Sequence, residues 1–136
     1  MPVFLSSSAE DTRNFGKKFS KSVKGGQIFA LSGEVGCGKT EFMRGVIEEL
    51  SPDAIVSSPT FSIVNRYECA DFTVCHFDFY RIKTVEELFE IGFEEYLSPN
   101  TAVFVEWADM YPQALGKNAK TISFECVAEN LRRIGF

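Results

Sequence analysis

Residues 33–40 read Gly33-Glu34-Val35-Gly36-Cys37-Gly38-Lys39-Thr40 and satisfy the spacing Gly-x-x-x-x-Gly-Lys-Ser/Thr at every fixed position. Each residue type has a use in holding phosphate. The glycines let the backbone turn tightly, so successive N–H groups point at phosphate oxygens. A helix beginning near Lys39 offers its unbonded N–H groups and positive dipole end to the anion. The Lys39 ammonium places a point charge between the β- and γ-phosphates, and the Thr40 hydroxyl is a hard oxygen ligand suited to Mg²⁺. Glu34, Val35 and Cys37 belong to the cradle through their backbone. The competing reading is an ordinary turn between a strand and a helix.

Phosphate chemistry of this kind needs further acidic groups. Glu106 directly follows the apolar run Ala102-Val103-Phe104-Val105, and a carboxylate there is costly unless it has a partner such as Mg²⁺. The alternative is a solvated glutamate that ends a strand. Asp78 lies in His76-Phe77-Asp78-Phe79-Tyr80-Arg81, where alternation places His76, Asp78 and Tyr80 on one face and the two phenylalanines on the other. Asp78 is the candidate to orient a water near the γ-phosphate, against the alternative of a surface aspartate. In Ser57-Ser58-Pro59-Thr60-Phe61, the Thr60 hydroxyl is a candidate sensor of the γ-phosphate, against the alternative of a plain turn.

These residues need a scaffold. Ser8, followed by Glu10 and Asp11, starts a helix carrying Phe15, Phe19 and Val23 on one face and Lys17, Lys21 and Lys24 on another, with Gly25-Gly26 as its end. Residues 27–31 and 101–105 read as buried strands of a parallel sheet. Phe42, Val46, Ile47 and Leu50 mark the helix after the glycine loop. Residues 61–68 and 72–79 form an antiparallel hairpin, and 120–127 with 131–136 form a second. Thr84 and Glu87 make a capping box for a short helix that Gly92 interrupts. The fold class is α/β, a three-layer sandwich of the kind built around phosphate-binding loops, with a mostly parallel central sheet and antiparallel hairpins.

With 136 residues, the chain has the length of one domain spanning 1–136. A net charge of −5 argues against a protein whose main task is gripping nucleic acid. Arg13, Lys17, Lys18, Lys21 and Lys24 still form a basic face, either solvated or applied to an acidic partner surface or to tRNA held by partners. The 4 cysteines show no Cys-x-x-Cys spacing and the chain has 1 histidine, so no zinc site is expected. Free thiols in a reducing compartment are expected, with Cys37 acting as a small side chain. No secretory signal and no apolar run of about 18 residues is seen, so a cytoplasmic protein is expected.

The glycine loop, Ser58-Pro59-Thr60-Phe61, His76-Phe77-Asp78-Phe79-Tyr80-Arg81, Glu86-Glu87-Leu88 with Ile91-Gly92, and Val105-Glu106-Trp107 follow in an order and spacing that resembles the TsaE (YjeE) family of bacterial ATPases. The resemblance covers almost the whole chain. Its departures are Gly33-Glu34-Val35-Gly36-Cys37-Gly38, where the family commonly has Gly-Asp-Leu-Gly-Ala-Gly, and Glu41, where a second threonine is common. It implies a small ATPase, slow alone and dependent on partners, that supports threonylcarbamoyl transfer to the adenosine beside the tRNA anticodon. TsaB and TsaD would carry out the transfer and TsaC would supply the threonylcarbamoyl-adenylate, with tRNA met only through the complex. By the same resemblance, the loop and Lys39 hold ATP, Thr40 and Glu106 hold Mg²⁺, Asp78 assists hydrolysis and Thr60 belongs to a switch-like loop. Trp107 lies near the nucleotide, and adenine sits between Ala9–Thr12 and Arg132 or Arg133. The rivals are a GTPase, whose Asn-Lys-x-Asp motif is missing, a small-molecule or nucleotide kinase, and an ATP-gated binding module.

Overall fold

In the computed structural model, which describes residues 2–59 and 62–136, seven strands form one sheet in the order β1-β7-β6-β2-β5-β4-β3. The strands are β1 (Val3–Ser6), β2 (Ile28–Ser32), β3 (Val64–Glu68), β4 (Thr73–Asp78), β5 (Thr101–Glu106), β6 (Lys120–Ala128) and β7 (Leu131–Gly135). The inner four, β6, β2, β5 and β4, run parallel. The β3–β4 and β6–β7 hairpins and the β1–β7 pair are antiparallel. The α/β class with a parallel centre and antiparallel margins is the one expected. Among the described residues no helix is long and apolar enough to cross a membrane.

Helices α1 (Ala9–Phe19) and α2 (Lys39–Leu50) cover one face. They approach closely because Gly16 and Gly45 face the partner helix: a Cβ on Gly16 would collide with the Phe42 carbonyl oxygen, and one on Gly45 with that of Arg13. Phe42, fully buried, sits among the rings of Phe15, Phe19, Phe104 and Phe124 at centroid distances of 5.9, 5.3, 6.5 and 5.4 Å. Much of the phenylalanine in the sequence is therefore packing material. On the other face lie α3 (Val85–Glu90) and α4 (Phe93–Tyr96), packed over Phe77, Phe79, Val103 and Val105.

Four details differ from the expectations. First, α1 ends at Phe19 rather than at Gly25-Gly26, and a 3-10 turn spans Ser20–Ser22. The Ser20 and Ser22 hydroxyls donate to the Lys17 and Phe19 carbonyl oxygens at 2.6 and 2.8 Å, satisfying acceptors that a longer helix would have used. Second, β1 adds an edge strand beside β7. Third, β5 is covered on both faces, but β2 alternates, with Phe29 and Leu31 buried and Ile28 and Ala30 half-buried. Only short 3-10 turns at Ala108–Met110 and Pro112–Ala114 follow on that side. Fourth, Cys37 and Cys126 are joined by a disulfide, which corrects the expectation of four free thiols. The two cysteines are 89 residues apart, and only the placement of the glycine loop against β6 brings them together.

The basic face is partly spent within the fold. Arg13 pairs with Glu41 at 3.2 Å and Lys17 with Glu48 at 3.4 Å, both across the α1–α2 crossing.

Candidate functional site

The glycine loop joins β2 to α2 at the carboxyl edge of the parallel strands, the edge where such sheets place ligands. Two of its turns demand glycine. Gly38, the residue that caps α2, has φ of 104°, and Gly33 has φ of 138° where a Cβ would collide with the Phe124 carbonyl oxygen. Gly38 has no side chain to cap the helix, so α2 starts without a side-chain hydrogen bond from its N-cap.

Lys39 is buried. Its Nζ donates to the Gly33 carbonyl oxygen at 2.5 Å, lies 3.8 Å from Glu106 Oε1 and sits 5.7 Å from the centre of the Trp107 ring. Glu106 ends β5 as a buried carboxylate, with His76 Nε2 2.7 Å from its Oε2. Burial pushes the Glu106 carboxyl up, but the His76 imidazole beside it and the Lys39 ammonium outweigh it and hold the carboxyl below the usual glutamate range. Glu106 is thus ionised and spoken for, not a solvated strand end.

Asp78 ends β4 in direct register with Glu106 and is also buried, which removes the surface-aspartate alternative. Its Oδ1 accepts from the Tyr80 N–H at 2.8 Å, and its own N–H donates to the Ile63 carbonyl at 2.8 Å. His76 lies beneath these groups and is almost fully buried, so it supports the cleft rather than lining it. The Tyr80 ring lies tilted against Trp107, with 5.1 Å between the ring centres. Trp107 and Ile63 both hold positive φ, at 58° and 68°, conformations that cost energy in non-glycine residues and gather around functional sites.

Gly36, Gly38, Lys39, Thr40, Ser58, Asp78, Glu106 and Trp107 border one cavity of about 270 Å³. Across the loop a second cavity of about 150 Å³ is bordered by Ser8, Ala9, Thr12, Glu129, Asn130 and Arg132, and Gly36, Gly38 and Glu41 border both. The two cavities together suit a molecule that carries phosphates at one end and a ring at the other. Arg132 borders the second cavity, whereas Arg133, one residue on and facing the other way, pairs with Glu125 at 3.1 Å. Thr60 lies outside the described residues. Glu34 is exposed and Val35 borders the first cavity.

Sequence reasoning missed Glu41, Glu129, Asn130 and the His76–Glu106 contact. The first three have no motif to announce them. The last depends on the β4–β5 register, in which His76 is two places from the residue opposite Glu106.

The family model for threonylcarbamoyl adenosine biosynthesis protein TsaE matches residues 6–134. The chain is 33% identical over 131 residues to a tRNA threonylcarbamoyladenosine biosynthesis protein TsaE of Rickettsia felis, covering 96% of this chain and 76% of that one. It is 30% identical over 130 residues to the Treponema pallidum protein of the same name, covering 96% of each. The crystal structure of Bacillus subtilis YdiB superposes with a TM-score of 0.77 at 26% identity, covering 98% of this chain and 82% of that one.

Proposed function

The chain belongs to the family of threonylcarbamoyl adenosine biosynthesis protein TsaE, and on that premise we propose that it is a cytoplasmic ATPase that drives tRNA threonylcarbamoyladenosine formation. The observation that carries the reading is the meeting of an open helix start, Lys39 and two buried carboxylates, Asp78 and Glu106, around one cavity. ATP is the substrate. The loop amides and Lys39 would take its phosphates, with Lys39 exchanging the Gly33 carbonyl for a phosphate oxygen. The second cavity, with Ala9, Thr12 and Arg132, would take the base and ribose.

The donor set fits Mg²⁺. Thr40 and Glu106 offer hard oxygens, and Glu106 is held ionised. Among the described residues no group of three His, Cys, Asp or Glu is placed to hold a metal alone, as suits an ion completed by phosphate and water. When bound, Mg²⁺ would neutralise charge on the β- and γ-phosphates. Asp78 would position the attacking water and accept its proton, while Trp107 and Tyr80 shield the cleft.

The ATP cycle would serve the TsaB–TsaD pair, which meets the tRNA. The test is phosphate release from ATP with TsaB and TsaD present. ATP binding is read from emission of Trp107, the single tryptophan. Lys39→Ala abolishes binding, while Asp78→Ala keeps binding and loses roughly 10²-fold or more in turnover. No association and no hydrolysis, with phosphate passed instead to a small metabolite, overturns the reading in favour of a kinase.

A further inference from the structure

We infer that Cys37 and Cys126 form a reversible thiol–disulfide site that clamps and releases the phosphate loop, with low-molecular-weight thiols and disulfides as its substrates. The coupling to ATP rests on the function proposed above.

The bridge joins the middle of the glycine loop to β6, across a Cα–Cα distance of 5.5 Å that suits a disulfide. Its two ends differ. Cys37 is 2% exposed, whereas Cys126 is exposed on β6, at an irregularity in the ladder between Cys126 and Ala128. An incoming thiolate therefore reaches only the Cys126 sulfur. It bonds there, the Sγ–Sγ bond breaks, and the electron pair leaves on Cys37, whose thiolate takes a proton from water. A second thiol attacks the outer sulfur of the mixed disulfide and releases Cys126, so two thiols become one small disulfide. Oxidation is the reverse exchange with a small disulfide. The start of α2, two residues beyond Cys37, stabilises the leaving thiolate. The other two cysteines do not compete, since burial raises the Cys69 thiol and pushes that of Cys75 to about 11.

The bridged loop spends its own donors. The Cys37 N–H donates to the Glu34 carbonyl at 3.2 Å, and Lys39 Nζ to that of Gly33. A phosphate must take these donors over, and the backbone on both sides of Cys37 borders the two cavities it would enter. A covalent tie to the sheet opposes that rearrangement, so the oxidised protein binds ATP more weakly. By linkage, ATP favours the dithiol by the same factor.

The experiment equilibrates the whole chain with oxidised glutathione or with dithiothreitol, counts thiols after denaturation and titrates with ATP and Mg²⁺ by calorimetry. Expected are 2 thiols after oxidation, those of Cys69 and Cys75, and 4 after reduction. ATP binding is roughly tenfold weaker when oxidised, and Cys126→Ser binds like the reduced protein under both conditions. Four thiols under both conditions overturn the bridge. Two and four thiols with equal or tighter ATP binding after oxidation overturn the coupling, as does a Cys126→Ser protein that still responds. Absence of ATP binding in both states overturns the proposed function and the coupling with it, while the thiol count still judges the bridge.

Discussion

Replacing His76 by leucine separates the charge that Glu106 carries from the packing around it. The imidazole and the carboxylate are both buried and stand 2.7 Å apart, while Lys39 keeps 3.8 Å from the other carboxylate oxygen. A buried carboxylate stripped of its only partner costs about 3–5 kcal/mol. Because Lys39 remains, we expect about 2–3 kcal/mol at pH 7, or a fall in Tm of roughly 6–12 °C for a chain of this size.

The sign with pH follows from the direction of the Glu106 shift. A carboxyl held low in the folded state stabilises the fold above its unfolded pKa, and that contribution is lost as pH falls through the folded value. In His76→Leu, burial pushes the carboxyl up against Lys39 alone, so its charged form becomes a burden at neutral pH. The gap between wild type and variant is then widest at pH 7 and shrinks towards about pH 4, where the variant's carboxyl is protonated. Calorimetric scans of both proteins across that range measure it. His76→Gln, which keeps a donor, recovers about half the loss. An equal gap at both ends of the range would show that the cost is packing alone, and no gap at all would show that Glu106 does not depend on His76.

Two further substitutions probe the scaffold. Gly33→Ala sets a Cβ against the Phe124 carbonyl at a φ of 138°, so we expect a loss of about 1–3 kcal/mol together with at least roughly tenfold weaker ATP binding. Thermal unfolding and calorimetric titration check both, and an unchanged affinity would detach the loop geometry from nucleotide binding. Phe42→Ala empties the centre of the ring cluster beneath α2 and should cost about 3–5 kcal/mol in chemical denaturation. A loss under about 1 kcal/mol would mean that the cluster collapses into the gap.

The parts of the fold that were legible are those whose local signals agree with one another. A continuous apolar run at Ala102–Val105, glycines at 33, 36 and 38, and a helical stripe at Phe42, Val46 and Ile47 each point to one structure. What escaped depends on contacts distant in sequence. β1 has four residues, of which Val3 and Leu5 are exposed, and it exists because β7 pairs with it from the opposite end of the chain. The end of α1 turns on two serine hydroxyls that read equally well as helix residues. The Cys37–Cys126 bridge has no spacing signature, because the register of β6 beside β2 creates it. Of the two adjacent arginines near the second cavity, only strand alternation in β7 tells which one borders it.

The same dependence on register explains how two carboxylates can share the site. Asp78 and Glu106 end neighbouring parallel strands in direct opposition, both buried, where like surroundings would be expected for both. Their partners differ instead. Glu106 has His76 behind it and Lys39 in front, a setting that keeps it charged and fixed, as the metal anchor proposed for it must be. Asp78 takes the Tyr80 backbone N–H, a neutral donor that orients the carboxylate and adds no net charge of its own. A carboxylate held against an ammonium is ill suited to taking a proton from water, so the base proposed is Asp78 rather than Glu106. The division proposed between anchor and base thus follows from what each strand end meets: the β4–β5 register sets His76 beside Glu106 and α2 brings Lys39 to it, while the turn after β4 gives Asp78 the Tyr80 N–H.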